Sequence, residues 1–114
     1  MNEKDKARIL HINEAVFFIL HHKKDSYEST LLDDLVLRYA IERQLEIIGE
    51  AVSFLSEDLK NRYAETEWNK IKQFRNFLAH EHFGIDYSLV WDIIENKIPE
   101  LQITISTIIN DNKY

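Results

Sequence analysis

The stretch IERQLEIIGEAVSFLSEDL, Ile41 to Leu59, decides the fold. Its apolar residues Ile41, Leu45, Ile48, Val52, Leu55 and Leu59 recur at spacings of 4-3-4-3-4. That is the a/d seam of a helix packed lengthwise against neighbours. The spacing predicts one long helix from about Leu31 to Arg62. Gly49 lies inside it, at a cost of about 1 kcal/mol relative to alanine. Close approach by a second helix at Gly49 would offset that cost.

Three further segments repeat apolar residues at helical spacing. The first runs from about Glu3 to Lys24, with Ile9, Ile12, Val16 and Ile19 on one stripe. DSYEST (25–30) then interrupts the pattern with residues that favour turns and caps. The third helix spans about Thr66 to His82, burying Trp68, Ile71, Phe74 and Leu78, with Thr66 as its cap. Gly84 is its stop, and Asp86 caps a fourth helix carrying Val90, Ile94, Ile98, Leu101, Ile105 and Ile108. Pro99 cannot donate a hydrogen bond and should kink that helix, although the stripe keeps its phase across it. LQITIS (101–106) alternates like a half-buried strand. Nothing else alternates well enough to pair with it, so it is read as helical.

The expected fold is therefore all-α. It is an antiparallel up-and-down bundle of four main helices, the last kinked at Pro99, in a single domain over residues 1–114. Composition agrees, since 114 residues with 45% hydrophobic content support one core. Two glycines and one proline are too few for a fold rich in tight turns. The chain has no cysteine, which removes disulfides and thiolate metal sites. The N-terminus lacks the uninterrupted apolar run of a signal peptide, and no window is apolar enough to cross a bilayer. The expectation is a soluble, cytoplasmic protein with no membrane association.

A second stretch, RNFLAHEHF (75–83), carries the chemistry. It sets an arginine, an asparagine and two histidines in a mostly apolar segment. An arginine fork can hold a phosphodiester and stabilise added charge in a transition state. A histidine titrating near 6.5 can take a proton from a 2′-hydroxyl or give one to a leaving oxygen. Arg75, His80 and Asn76 are the candidate catalytic residues, with Asn76 placed to orient His80. On a straight helix Arg75 and His80 diverge by about 140°. A two-fold dimer would bring both motifs to one cleft. The net charge of −6 opposes nucleic-acid binding. Lys60 to Arg75, however, holds five basic residues against only Glu65 and Glu67. Lys70, Lys72 and Arg62 from that cluster are candidate RNA contacts. The carboxylates and histidines show no metal-ligand spacing, so neither a metal nor a cofactor is expected.

RNFLAH, preceded by IGEA and by Trp68, Ile71 and Phe74, and followed by FGIDYSLVW, resembles the HepT-type toxins of the HEPN superfamily. The likeness covers nearly the whole chain. It implies a homodimeric, all-helical, metal-independent ribonuclease with Arg75 and His80 at the dimer cleft, and transfer RNA as a class of target. It also implies a toxin–antitoxin system whose partner is an MNT-type nucleotidyltransferase, which silences the toxin by AMP transfer to a tyrosine two residues after the histidine. This chain departs there: His82 stands at that modification position, and imidazole cannot form the same adenylyl ester. The competing reading is a catalytically silent helical dimer that binds a nucleotide or a partner.

Overall fold

A computed structural model describes residues 2–23, 27–80 and 84–114, with the side chains of Ala79 and His80 excluded. All regular structure among these residues is helical. The elements are α1 (Glu3–Lys23), α2 (Glu28–Asp33), α3 (Leu35–Ser53), α4 (Glu57–Arg62), α5 (Trp68–His80), α6 (Tyr87–Asp92), a π-helical turn (Ile93–Lys97) and α7 (Ile98–Asn112).

The predicted seam is buried throughout: Ile41, Leu45, Ile48, Val52, Leu55 and Leu59 are each at most 4% exposed. The single helix predicted over 31–62 is nonetheless three. Asp34 caps α3 by accepting from the Leu37 N–H at 3.1 Å. Ser56 caps α4 by accepting from the Leu59 N–H at 3.2 Å. Ser56 is also held from outside its own helix, because its N–H and hydroxyl both donate to the carboxylate of Asp5 in α1. A long-range tie therefore ends α3, while local apolar spacing continues unchanged across the break. Part of DSYEST is itself helical: α2 starts at Glu28, and the Tyr27 N–H reaches the Thr30 hydroxyl at 3.5 Å.

Helix α5 begins at Trp68 rather than Thr66. The Lys70 and Ile71 N–H groups donate to the Glu67 carbonyl, which opens the helix one residue after the predicted cap. The Thr66 hydroxyl instead meets that of Thr104 at 3.4 Å. The predicted stop at Gly84 and the last two residues of the predicted third helix concern a junction at 81–83, outside the described residues. Asp86 caps α6 as expected, accepting from the Ser88 N–H at 2.9 Å.

The fourth helix runs on through LQITIS, with Leu101 and Ile105 buried. Its irregularity precedes Pro99: the Ile98 N–H bonds five residues back to the Ile93 carbonyl. Pro99 then sits in the first turn of α7, where a missing N–H costs least.

Packing follows the order α5, α3, α1, α7, each helix lying against the next. Ile9, Ile12, Val16 and Ile19 of α1 are essentially fully buried between α3 and the fourth helix. Each such side chain contributes about 1.5–3 kcal/mol by leaving water. Between α5 and the fourth helix the bundle stays open as a groove of about 960 Å³, floored by Leu45 and Ile48. No helix among the described residues is long and apolar enough to cross a membrane.

Candidate functional site

The site is built where α5 crosses α3. Gly49 is buried there, and a Cβ placed on it would overlap the Cβ of Arg75 and lie 2.8 Å from its Cγ. The Ile71 carbonyl oxygen would be 3.3 Å away. Only a residue without a side chain lets α5 settle this close. The approach expected from Gly49 in sequence is thus real, and Arg75 is the group that fills the space. Its stem is pressed on the glycine, which fixes the direction in which the guanidinium leaves the helix.

Arg75 is half-buried, and its Nη1 donates to the Asn76 amide oxygen at 3.1 Å. Asn76 is exposed. The amide therefore steadies the guanidinium, which has further N–H donors besides the one bonded to it. His80 is the last residue of α5 in the described structure. His82, at the position where the resemblance implies a modified tyrosine, lies outside the described residues.

The candidate RNA contacts do not form one patch. Arg62 and Lys70 line the groove between α5 and the fourth helix. Lys72 is exposed on α5 but is not part of the groove lining. Lys70 also forms an ion pair with Glu67 at 2.9 Å, and that ammonium holds the Glu67 carboxyl below its usual range.

The apolar periodicity gave no sign of a cluster at the other end of α3. Arg38 and Glu42 stand one turn apart on α3, and Tyr87 opens α6 beside them. The Arg38 guanidinium lies 4.6 Å from the centre of the Tyr87 ring and 5.6 Å from that of Tyr39. Burial, and after it the neighbouring Glu42 carboxylate, pushes the Tyr87 phenol up to about 12. Arg38 Nη1 donates to the Leu32 carbonyl at 3.3 Å, and the Ser88 hydroxyl donates to Glu28 at 2.7 Å. Together these contacts fasten α2, α3 and α6 at one end of the bundle. The one sequence signal was the i, i+4 pair of opposite charges in a stretch otherwise read as a seam.

The family model described as "Ribonuclease HepT-like" matches residues 12–108. The protein named "Putative RNase MJ0127" of Methanocaldococcus jannaschii is 38% identical over 112 residues, covering 97% of this chain and 93% of the relative. "Putative RNase TTE0752" of Caldanaerobacter subterraneus is 35% identical over 102 residues, covering 90% of each. "Probable ribonuclease HepT" of Thermococcus cleftensis is 30% identical over 102 residues, covering 90% of this chain and 93% of the relative. No solved structure matches the chain. A family match across most of the length, on a helical frame that seats Arg75 against Gly49, places this chain in the ribonuclease HepT-like family.

Proposed function

We propose that this protein is a metal-independent endoribonuclease acting as the toxin of a toxin–antitoxin pair. The observation that carries the reading is the seating of Arg75 on Gly49 with Asn76 bonded to its guanidinium, in a chain of this family. Arg75 grips the scissile phosphodiester and stabilises the charge that grows on its non-bridging oxygens. His80 takes the proton of the adjacent 2′-hydroxyl as that oxygen attacks phosphorus. The bond to the 5′-oxygen breaks, and that oxygen leaves with a proton from a second histidine. The second imidazole comes from a second copy of the chain, in a homodimer whose motifs share one cleft. Each proton-transfer role contributes roughly 10²–10⁴-fold.

Transfer RNA is the substrate class of this reading, the cytoplasm its setting, and an MNT-type nucleotidyltransferase its neutralising partner. With His82 at the position of the modified tyrosine, AMP transfer there cannot give the usual ester. Neutralisation then proceeds by binding or through another acceptor.

The test is RNA cleavage by the parent beside Arg75→Ala and His80→Ala. Both variants should lose at least 10²-fold in rate, and equal cleavage by all three would remove the assignment. Expression in growing cells separates the enzyme from a silent binding module. A nuclease arrests growth and the His80→Ala variant does not.

A further inference from the structure

The outward face of α3 carries a stripe of side chains left open to solvent. Val36, Tyr39, Arg43, Glu46, Glu50 and Phe54, the last being the C-terminal cap, fall within about 80° of one another around the axis. They point away from the buried seam of Ile41, Leu45, Ile48 and Val52. Val36 is 81% exposed, Phe54 60% and Tyr39 58%. Large apolar side chains gathered on one open face mark a contact surface.

The stripe is arranged symmetrically. Tyr39 and Phe54 are centred on the point between Glu46 and Ile47, and Arg43 and Glu50 are centred on the same point. From either end it runs aromatic, charge, charge, aromatic, with opposite charges at the two inner places. A second α3 laid antiparallel over it therefore sets Arg43 beside the partner's Glu50 and Tyr39 beside the partner's Phe54, twice over. Within one chain these charges are poorly served. Arg43 Nη1 reaches Glu46 at 3.4 Å with its side chain 62% exposed, a geometry that contributes little. Glu50 has no ion pair among the described residues, and Glu46 stands one turn before it with the same charge. Arg38 and Arg8 lie against the Tyr39 and Phe54 rings, which still leaves both aromatic residues more than half exposed. Two carboxylates against one guanidinium make the stripe a poor seat for RNA.

We propose that α3 pairs with α3 of a second copy, antiparallel, about a two-fold axis between Glu46 and Ile47, and that this contact assembles the nuclease cleft. For the use of that cleft it rests on the nuclease reading above. A two-fold axis relating antiparallel helices runs across the pair, so both copies of α5 fall on one side of it. Gly49 faces about 100° from Glu50, which puts α5 at the flank of the interface rather than beneath it. Gly49 also lies about 4 Å along α3 from the axis. The two Arg75 stems seated on it consequently stand about 8 Å apart in level and border one groove.

The experiment measures the dimer dissociation constant of the full-length parent by sedimentation equilibrium, beside Arg43→Glu, Glu50→Arg and the double reversal. Each single reversal sets like charges across the axis and should weaken the dimer at least about tenfold, while the double should return to within about threefold of the parent. A monomeric parent, variants that all match the parent, or a double no tighter than the singles overturns the proposal. If the variants match the parent and RNA is still cut, the interface falls and the nuclease reading stands. If the double restores the dimer of a protein that cuts no RNA, the nuclease reading falls and the interface stands. A second measurement keeps every charge of the Arg43–Glu50 pair. The chain has no cysteine, so Glu46→Cys supplies one thiol per copy beside the axis. A short bis-maleimide should join two such copies, whereas Asn13→Cys on the exposed side of α1 should stay single. Absence of the joined species, or equal joining by both variants, also overturns the proposal.

Discussion

Asp5 and Ser56, 51 residues apart, are joined by two hydrogen bonds. The Ser56 N–H donates to Asp5 Oδ1 at 2.9 Å, and its hydroxyl to Oδ2 at 2.6 Å. Asp5 is 2% exposed, and it is the buried polar or charged side chain of the core among the described residues. The serine that caps α4 is therefore itself held by α1.

Removing either partner should cost stability through this tie. Asp5→Ala strips two donors of their acceptor and should destabilise by about 1–3 kcal/mol. Ser56→Ala loses both the cap and the bond to Asp5, about 1–2 kcal/mol. Urea denaturation of the two single variants and the double should give a double-variant loss smaller than the sum, because both remove one contact. Strict additivity would contradict the coupling.

Gly49→Ala should be worse than its helix propensity suggests. Alanine favours a helix by about 1 kcal/mol over glycine. Here its Cβ collides with the stem of Arg75, and overpacking costs about 1–3 kcal/mol. The expected result is a lower denaturation midpoint together with reduced RNA cleavage, since the arginine is displaced. A stabilised Gly49→Ala protein would show that the two helices separate easily.

Tyr87 should shape the alkaline edge of stability. Its phenol is raised from 10.0 to about 12, so the folded chain keeps a proton that the unfolded chain has lost above pH 10. The stability this contributes is fully present below about pH 10 and disappears as pH rises through about 12. Tyrosinate absorbance at 295 nm should show a late titration step that Tyr87→Phe removes. Stability of that variant should also fall less steeply between those pH values.

Asn76→Ala separates positioning from folding. Both Asn76 and its bond to Arg75 lie near the surface, so stability should change by no more than about 0.5 kcal/mol. Cleavage should nevertheless fall roughly tenfold, the equivalent of about 1.4 kcal/mol of lost guanidinium placement. Unchanged cleavage would confine the asparagine to a surface role.

Much of this arrangement was legible in the residues. The seam from Ile41 to Leu59 named the buried positions of α3 and α4, and Gly49 announced a tight crossing. Asp86 announced a cap. The break at Ser56 was hidden because it depends on a carboxylate in α1, and no local pattern carries a partner 51 residues away. Thr66 looked like a cap by type, but its hydroxyl meets Thr104 across the groove. Glu42 was concealed for a related reason. Within a heptad it reads as an ordinary surface charge, and its meaning appears only once Tyr87 returns alongside it.

The turn at Ile93–Lys97 has a consequence for chain length. A π turn stores one residue more than an α turn in the same rise. Deleting a single residue there would relax the backbone into ordinary helix. Because the bulge had already absorbed that residue, everything downstream would keep its phase, and Leu101, Ile105 and Ile108 would stay turned toward α1. The fourth helix thus tolerates loss of one residue at its least regular point, whereas the same deletion within α7 would swing the residues after it by about 100°.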